Sequence, residues 1–311
     1  MHLNRLCNAF AMLLVFLASS YAAEPKQITK DGRWKLSPCY SVDGKDLYYS
    51  LSSDMGRVFL IKQDLATGKT SKMFEETTDH LYDASFSSDG KYLAYCQTSG
   101  SPQLFVVIRN LTEQTEATYR PVGARSTARR PRFIPGTTQL VFNESGEGGQ
   151  QIAIVNVDGG NRRLVTELSA INRWPDVSPD GKRIVFCSSK EGNYDLFTVN
   201  TDGTGLTQLT DHPLRDIHPA WSPDGKRIAF VSVRDGDHEI FMLDLTSRNV
   251  TQVTKNNFRD DFQPGRQMAK SSHSSHRRTA QPTFSNSKSN QLIDASHGRP
   301  LCLCRKIIGC P

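Results

Sequence analysis

The sequence predicts an all-β fold: a six-bladed β-propeller with its last blade incomplete. Three observations predict it. A unit of about 45 residues recurs five times. Each unit holds four short β-prone runs punctuated by glycine-containing turns. The unit then begins a sixth time and breaks off after Pro264.

The two clearest copies are NRWPDVSPDGKRIVFCSSKEGNYDLFTVNTDGTGLTQLT (Asn172–Thr210) and DIHPAWSPDGKRIAFVSVRDGDHEIFMLDLTSRNVTQVT (Asp216–Thr254). Three looser copies precede them, with turn glycines at Gly44, Gly90 and Gly136, followed by Gly181 and Gly225. The spacings are 46, 46, 45 and 44 residues. Within a unit, PAWS reads as a short inner strand. PDG is a hairpin turn, in which Pro presets φ and Gly accepts a positive φ. KRIAFVS alternates polar and apolar over its first half, as a half-buried strand does. RDGDHE is a second turn, IFMLDL a third strand, and VTQVT a β-branched fourth. A lone four-stranded sheet cannot bury both faces. Stacking the units radially buries each against its neighbours, which makes the array one cooperative domain.

Ahead of the repeats stands a leader, residues 1–22. Arg5 supplies positive charge, Ala9–Ala18 (AFAMLLVFLA) an apolar run, and Ser20–Ala22 the small residues of a cleavage site. The run is short for a membrane span, so export with cleavage near Ala22 is expected, leaving no membrane span in the mature chain. The propeller is assigned to residues 23–264. KQIT (Lys26–Thr29) matches the fourth-strand segments LTQLT and VTQVT but precedes any inner strand. It is expected to supply the outer strand of the last blade, closing the ring and covering sheet edges.

That closure needs a sixth unit after Thr254. FRDDFQP parallels LRDIHPA and should lead into WSPDGK, yet the chain reads GRQMAK. The codons TGG TCG CCA GAT GGC AAA encode WSPDGK. Without the first T they read GGT CGC CAG ATG GCA AA, which begins Gly-Arg-Gln-Met-Ala. A shift of reading frame just after Pro264 is therefore expected, with residues 265–311 a disordered basic tail, out of frame. Its Ser, His, Arg and Asn content offers little apolar surface to offset ordering entropy.

Formal net charge is +6, but Gly265–Pro311 holds eight Lys/Arg and one Asp, leaving −1 for residues 1–264. The basicity belongs to the tail, and no basic stripe interleaved with aromatics argues for nucleic acid. Cys96 and Cys187 occupy the position that Val231 fills in the fifth unit. They read as small buried strand residues rather than a disulfide pair. The CLC run and Cys310 fit no zinc spacing.

The motif P-x-W-S-P-D-G-K-x-I-A-F runs from Pro219 to Phe230, with a close copy at Pro175–Phe186. It resembles the TolB-type propeller, a WD-like repeat shared with the propellers of dipeptidyl peptidases and prolyl oligopeptidases. The resemblance covers Lys26 to Pro264. TolB carries an α/β domain ahead of its propeller, whereas here the propeller follows the leader directly. The resemblance implies a monomeric, non-catalytic, exported propeller in the periplasm or outside the cell, binding an envelope protein or peptide. Two alternatives stand beside it: a metal-dependent lyase on acidic sugars, as some related propellers are, and the non-functional product of a truncated gene.

Catalytic signatures do not assemble. There is no G-x-S-x-G elbow. HEIFM places Met242 where a zinc motif needs a second His, and ATGKT (Ala66–Thr70) has Gln63 where a phosphate loop needs Gly. The Ser and Asp of each SPDG read as turn formers, and Trp221 and Phe86 as blade core. The sequons at Asn110, Asn143 and Asn249 carry no weight in a bacterial-type chain. Candidate binding residues are those leading into the inner strands, at one mouth of the channel: Tyr82 and Asp83, Arg130 and Arg132, Arg173 and Trp174, Asp216 and His218, Asp260 and Asp261. Mixed charge with aromatics suits a peptide or glycan. His218 with an Asp would be the start of a metal site. No cofactor is expected.

Overall fold

A computed structural model describes Ile28 and residues 35–255, apart from 54–55, 76, 99, 101–102, 124 and 147–148. The leader, Lys26, Gln27 and Thr29 of KQIT, Asp260, Asp261 and the tail 265–311 lie outside the described residues.

The five predicted units are five separate four-stranded sheets, each an antiparallel meander of consecutive strands. In the fifth, the strands are Asp216–Trp221, Arg227–Ser232, Glu239–Asp244 and Val250–Gln252. The other four inner strands are Lys35–Tyr40, Leu81–Phe86, Thr127–Phe133 and Asn172–Val177. The all-β propeller architecture holds: the described residues contain no helix, and so none long and apolar enough to cross a membrane. The start of the sixth unit lies beyond the described residues.

Period-two alternation explains how the blades cohere. In the fourth blade's second strand, Ile184 and Phe186 join the core shared with blade three. The alternate residues Val185 and Cys187 join the core shared with blade five. Leu93 and Tyr95 face blade one in the same way, while Ala94 and Cys96 face blade three. These strands are therefore buried on both faces, more fully than the half-buried strand that the leading Lys-Arg suggests. Near-continuous apolar runs such as RIVFC follow from that double burial. Trp221, 1% exposed, anchors the interface of blades four and five among Leu196, Ile228 and Phe230. Cys96 and Cys187 are free, buried thiols, as their equivalence to Val231 suggests. Burial pushes both thiols above their ordinary pKa. Smaller buried clusters form around Leu47, Tyr49 and Ile61 of blade one and around Ala229 and Met242 of blade five. Ile28 packs on the first of these, and its carbonyl accepts a 3.4 Å hydrogen bond from Gln63.

The hairpin between first and second strands is built alike in four blades. The Ser222 hydroxyl donates to Asp224 at 2.5 Å and accepts the Arg227 N–H at 2.9 Å, while Asp224 accepts the Lys226 N–H at 3.0 Å. Ser41, Ser87 and Ser178 repeat the pattern with Asp43, Asp89 and Asp180. The serine hydrogen bond comes first among the causes that hold each of these four carboxyls below the ordinary carboxylate pKa. The third blade lacks the Ser-Asp pair and substitutes Thr137, whose hydroxyl donates to the Ile134 carbonyl at 2.9 Å. Gly136 nevertheless keeps φ +75°, beside +71° at Gly181 and +67° at Gly225. At Gly181 the need is double, because an added Cβ would lie 2.7 Å from the Pro135 carbonyl of the neighbouring blade.

Candidate functional site: a cationic cleft at the inner-strand bulges

Each of the five described inner strands carries a bulge near its start. The pairing slips by one residue between Leu36 and Cys39, Tyr82 and Ser85, Arg129 and Arg132, Arg173 and Asp176, and Ile217 and Ala220. At each bulge a non-glycine residue takes the left-handed conformation: Ser37 (φ 51°), Asp83 (57°), Arg130 (59°), Trp174 (54°) and His218 (54°). Bulges re-aim side chains, and strained backbone of this kind concentrates where a side chain has a job. The predicted candidates among the described residues are thus not in loops leading into the inner strands. They lie within the strands, because the extra residue accommodates a kink that the flat repeat pattern does not reveal.

The bulge residues meet across blade boundaries. Asp83 is fully buried. It accepts hydrogen bonds from the Ser37 hydroxyl of blade one and, in blade three, from Arg129 Nε at 2.5 Å and the Arg130 N–H at 3.3 Å. Arg130 Nε lies 3.4 Å from the same carboxylate. Burial opposes ionisation of Asp83, but Arg129 and Arg130, with the Arg129 and Ser37 hydrogen bonds, hold its pKa far below the usual carboxylate range. Asp176, two residues beyond the Trp174 bulge, accepts the Trp221 N–H at 2.9 Å and lies 3.7 Å from Arg132 Nε. His218 stands against Trp174 with ring centroids 4.1 Å apart. Burial, then the charges of Arg130 and His238, lower its pKa well below the ordinary histidine value, so it is neutral.

Above this layer opens a cleft of about 360 Å³. Of the predicted residues, Tyr82, Arg130, Arg173 and Trp174 line it. Asp83 lies beside it as counterion to Arg129 and Arg130. Arg132, Asp216 and His218 do not line it. Arg132 is engaged with Asp176 and the Pro131 carbonyl, and Asp216 with Arg234 Nη2, 2.9 Å from both carboxylate oxygens. Sequence reasoning missed Ser37, Arg129, Asn143 and Gln150. Ser37 stands 46 residues before Asp83, so the repeat spacing could have found it. Arg129 adjoins Arg130, while Asn143 and Gln150 come from second and third strands and carry no signal. Gln150 accepts from Arg173 Nε. Arg129 lies over the Tyr82 ring at 5.0 Å, and Arg173 over Trp174 at 5.8 Å.

The arrangement suits recognition of an anion. Among the described residues three guanidinium groups, Arg129, Arg130 and Arg173, line the cleft, and one carboxylate, Asp83, lies beside it. Among the described residues no three His, Cys, Asp or Glu side chains converge to hold a metal ion. His218 is a poor beginning for one, with a ring against it and cationic neighbours.

Comparison with known proteins accords with the fold. Residues 122–297, more than half of the chain, match the family described as the TolB beta propeller domain. Comparison with curated proteins found no match. Among solved structures, the protein from Agrobacterium tumefaciens assigned as TolB is similar at a TM-score of 0.63 and 22% identity, over 73% of this chain and 83% of that one. TolB from Acinetobacter baumannii gives 0.52 and 18%, over 80% of this chain and 59% of that one. Oligogalacturonate lyase from Vibrio parahaemolyticus gives 0.53 and 18%, over 73% and 67%. At such identities the likenesses speak for the fold alone, while the family match across the third, fourth and fifth blades rests on sequence. The chain belongs to the TolB beta propeller domain family.

Proposed function

We propose that this chain is a non-catalytic, exported β-propeller that binds a protein or peptide partner of the cell envelope, in the periplasm or outside the cell, as a monomer. The observation that carries the reading is the state of the carboxylates around the channel. Asp83, Asp176 and Asp216 are all engaged by arginines. A carboxylate so held is a weak base and a poor nucleophile, whereas the guanidinium and aromatic groups beside it are recognition chemistry. Membership of the TolB beta propeller domain family supports the same reading, as does the apolar leader.

The test is retention of a saturable partner from envelope extract by the immobilised full chain. Replacing Tyr82 with Ala is expected to reduce retention while leaving the thermal melt near that of the parent. Failure to retain any protein at saturating extract overturns the proposal.

The positive cleft also favours a second reading, a lyase acting on acidic sugars with a metal. Metal analysis of the purified chain separates the two. Stoichiometric metal that is lost on replacing His218 with Ala, together with cleavage of a uronate polymer, establishes the enzyme. Neither is expected, because the described residues do not fit a metal site.

A further inference from the structure

The proposed binding role leaves the chemistry of the partner open, and the cleft addresses it. Tyr82 comes from blade two, Arg129 and Arg130 from blade three, and Arg173 and Trp174 from blade four. Arg129 commits Nε to Asp83, and Arg173 commits Nε to Gln150. Both side chains are held in place by these contacts while still bordering the cleft, and Arg129 is 32% exposed. A guanidinium fork fixed at Nε can present its terminal nitrogens to a carboxylate in a paired geometry.

The aromatic groups decide between a peptide and a sugar. Sugar sites present an open aromatic face. Here Tyr82 has Arg129 at 5.0 Å and the His80 ring stacked at 6.3 Å. Trp174 has His218 at 4.1 Å, with Arg173 at 5.8 Å. Both rings already serve to brace cations and neighbouring rings. What the cleft offers a ligand is positive charge and hydrogen bonds in a volume suited to a few side chains.

We infer that this cleft takes an acidic peptide segment of the partner, with two carboxylates received by Arg129 and by Arg173. The inference rests on the protein-binding reading above.

Fluorescence anisotropy with the full chain and a labelled oligoglutamate peptide tests it, with oligoglutamine and oligogalacturonate as comparison ligands. Oligoglutamate is expected to bind and to weaken as salt is raised. Arg173→Gln is expected to weaken it about tenfold or more. Gln150→Glu, which sets an internal carboxylate beside Arg173, is expected to do the same and carries the test if Arg173→Gln does not fold. Lys69→Gln, an exposed charge on blade one, is expected to leave binding unchanged. Equal binding of oligoglutamine, or indifference to both cleft variants, overturns the inference. So does tighter binding of oligogalacturonate that displaces the peptide, which assigns the cleft to acidic sugars. An envelope partner retained alike by the parent and Arg173→Gln leaves the binding role standing and removes only the acidic segment. Oligoglutamate bound through Arg173 with no partner retained has the opposite meaning.

Discussion

At the hairpin end of the blades, Ser41, Ser87, Ser178 and Ser222 repeat one hydrogen-bond pattern with an aspartate two residues on. At the bulge end, five residues with φ between 51° and 59° are Ser, Asp, Arg, Trp and His. The backbone recurs at both ends, but only the first end repeats its side chains. A hairpin turn is closed largely by its own residues, so one local solution serves four of the five described blades and a threonine stands in for it in the third. A bulge side chain must satisfy whatever the next blade presents, and each blade presents something different. Chemistry that distinguishes this propeller from its own repeat should therefore lie at the bulges, with interchangeable structural roles at the turns.

The largest effect that this comparison predicts is at Asp83. Replacing it with Ala removes the buried carboxylate that Arg129 and Arg130 share, and breaking a buried pair costs about 3–5 kcal/mol. Denaturant unfolding should show it as a reduced midpoint. Asp83→Asn keeps the shape and isolates the charge. Because the folded pKa of Asp83 is depressed, its contribution is present above the unfolded carboxylate value, near about 4, and is lost as pH falls below it. The parent should lose this increment on acidification and the Asn variant should not. An equal acid response in both would remove the charge from the account.

The glycine turns come next. Gly181→Ala meets both a positive φ and the Pro135 carbonyl at 2.7 Å, whereas Gly44→Ala has a positive φ but nothing within 4 Å of the added Cβ. The backbone cost alone is about 1–2 kcal/mol, so Gly44→Ala should show that and Gly181→Ala distinctly more. Similar melting temperatures for the two would mean that the blade contact at Gly181 is slack. The turn serines follow, at about 1 kcal/mol each for removal of the hydroxyl. Ser178→Ala and Ser222→Ala should cost the same within error, since their bonds to Asp and to the Arg183 or Arg227 N–H have the same lengths within 0.1 Å. Unequal costs would break the claim that the turns are interchangeable.

The blades were legible in the sequence because their signals are local. Gly44, Gly90, Gly136, Gly181 and Gly225 mark turns whose φ only glycine accepts easily, and the strand runs follow at fixed distances. Even IPGTTQL, without its Asp-Gly pair, turned where the spacing required. The site was half legible. Tyr82, Arg130, Arg173 and Trp174 were found by repeat register and line the cleft. Arg132, Asp216 and His218 share that register but face internal partners, since a bulge decides direction and leaves no mark in residue type. Arg234, which engages Asp216, lies 18 residues away, and Gln150 reaches Arg173 from another blade's third strand. Such pairings exist only once strands are in register.

The smallest effect separates the bulge residues from one another. His218 packs on Trp174, a contact worth about 0.5–1.5 kcal/mol for an aromatic pair. Asparagine tolerates left-handed backbone better than most residues, so His218→Asn should cost little at neutral pH. Its signature is in the pH profile. The folded pKa of His218 is depressed by burial, so the unfolded chain takes up a proton there first. Stability contributed by the neutral ring is present above the unfolded histidine value of about 6.5 and declines as pH falls below it. That loss begins at higher pH than the loss at Asp83, so the two bulge residues differ in where the unfolding midpoint starts to fall in a titration against pH. The parent should begin to soften below the unfolded histidine value and more steeply below the carboxylate value. His218→Asn should lose only the first onset, and Asp83→Asn only the steepening. A variant that erased both would show that the two bulges, placed in different blade interfaces, are not energetically independent.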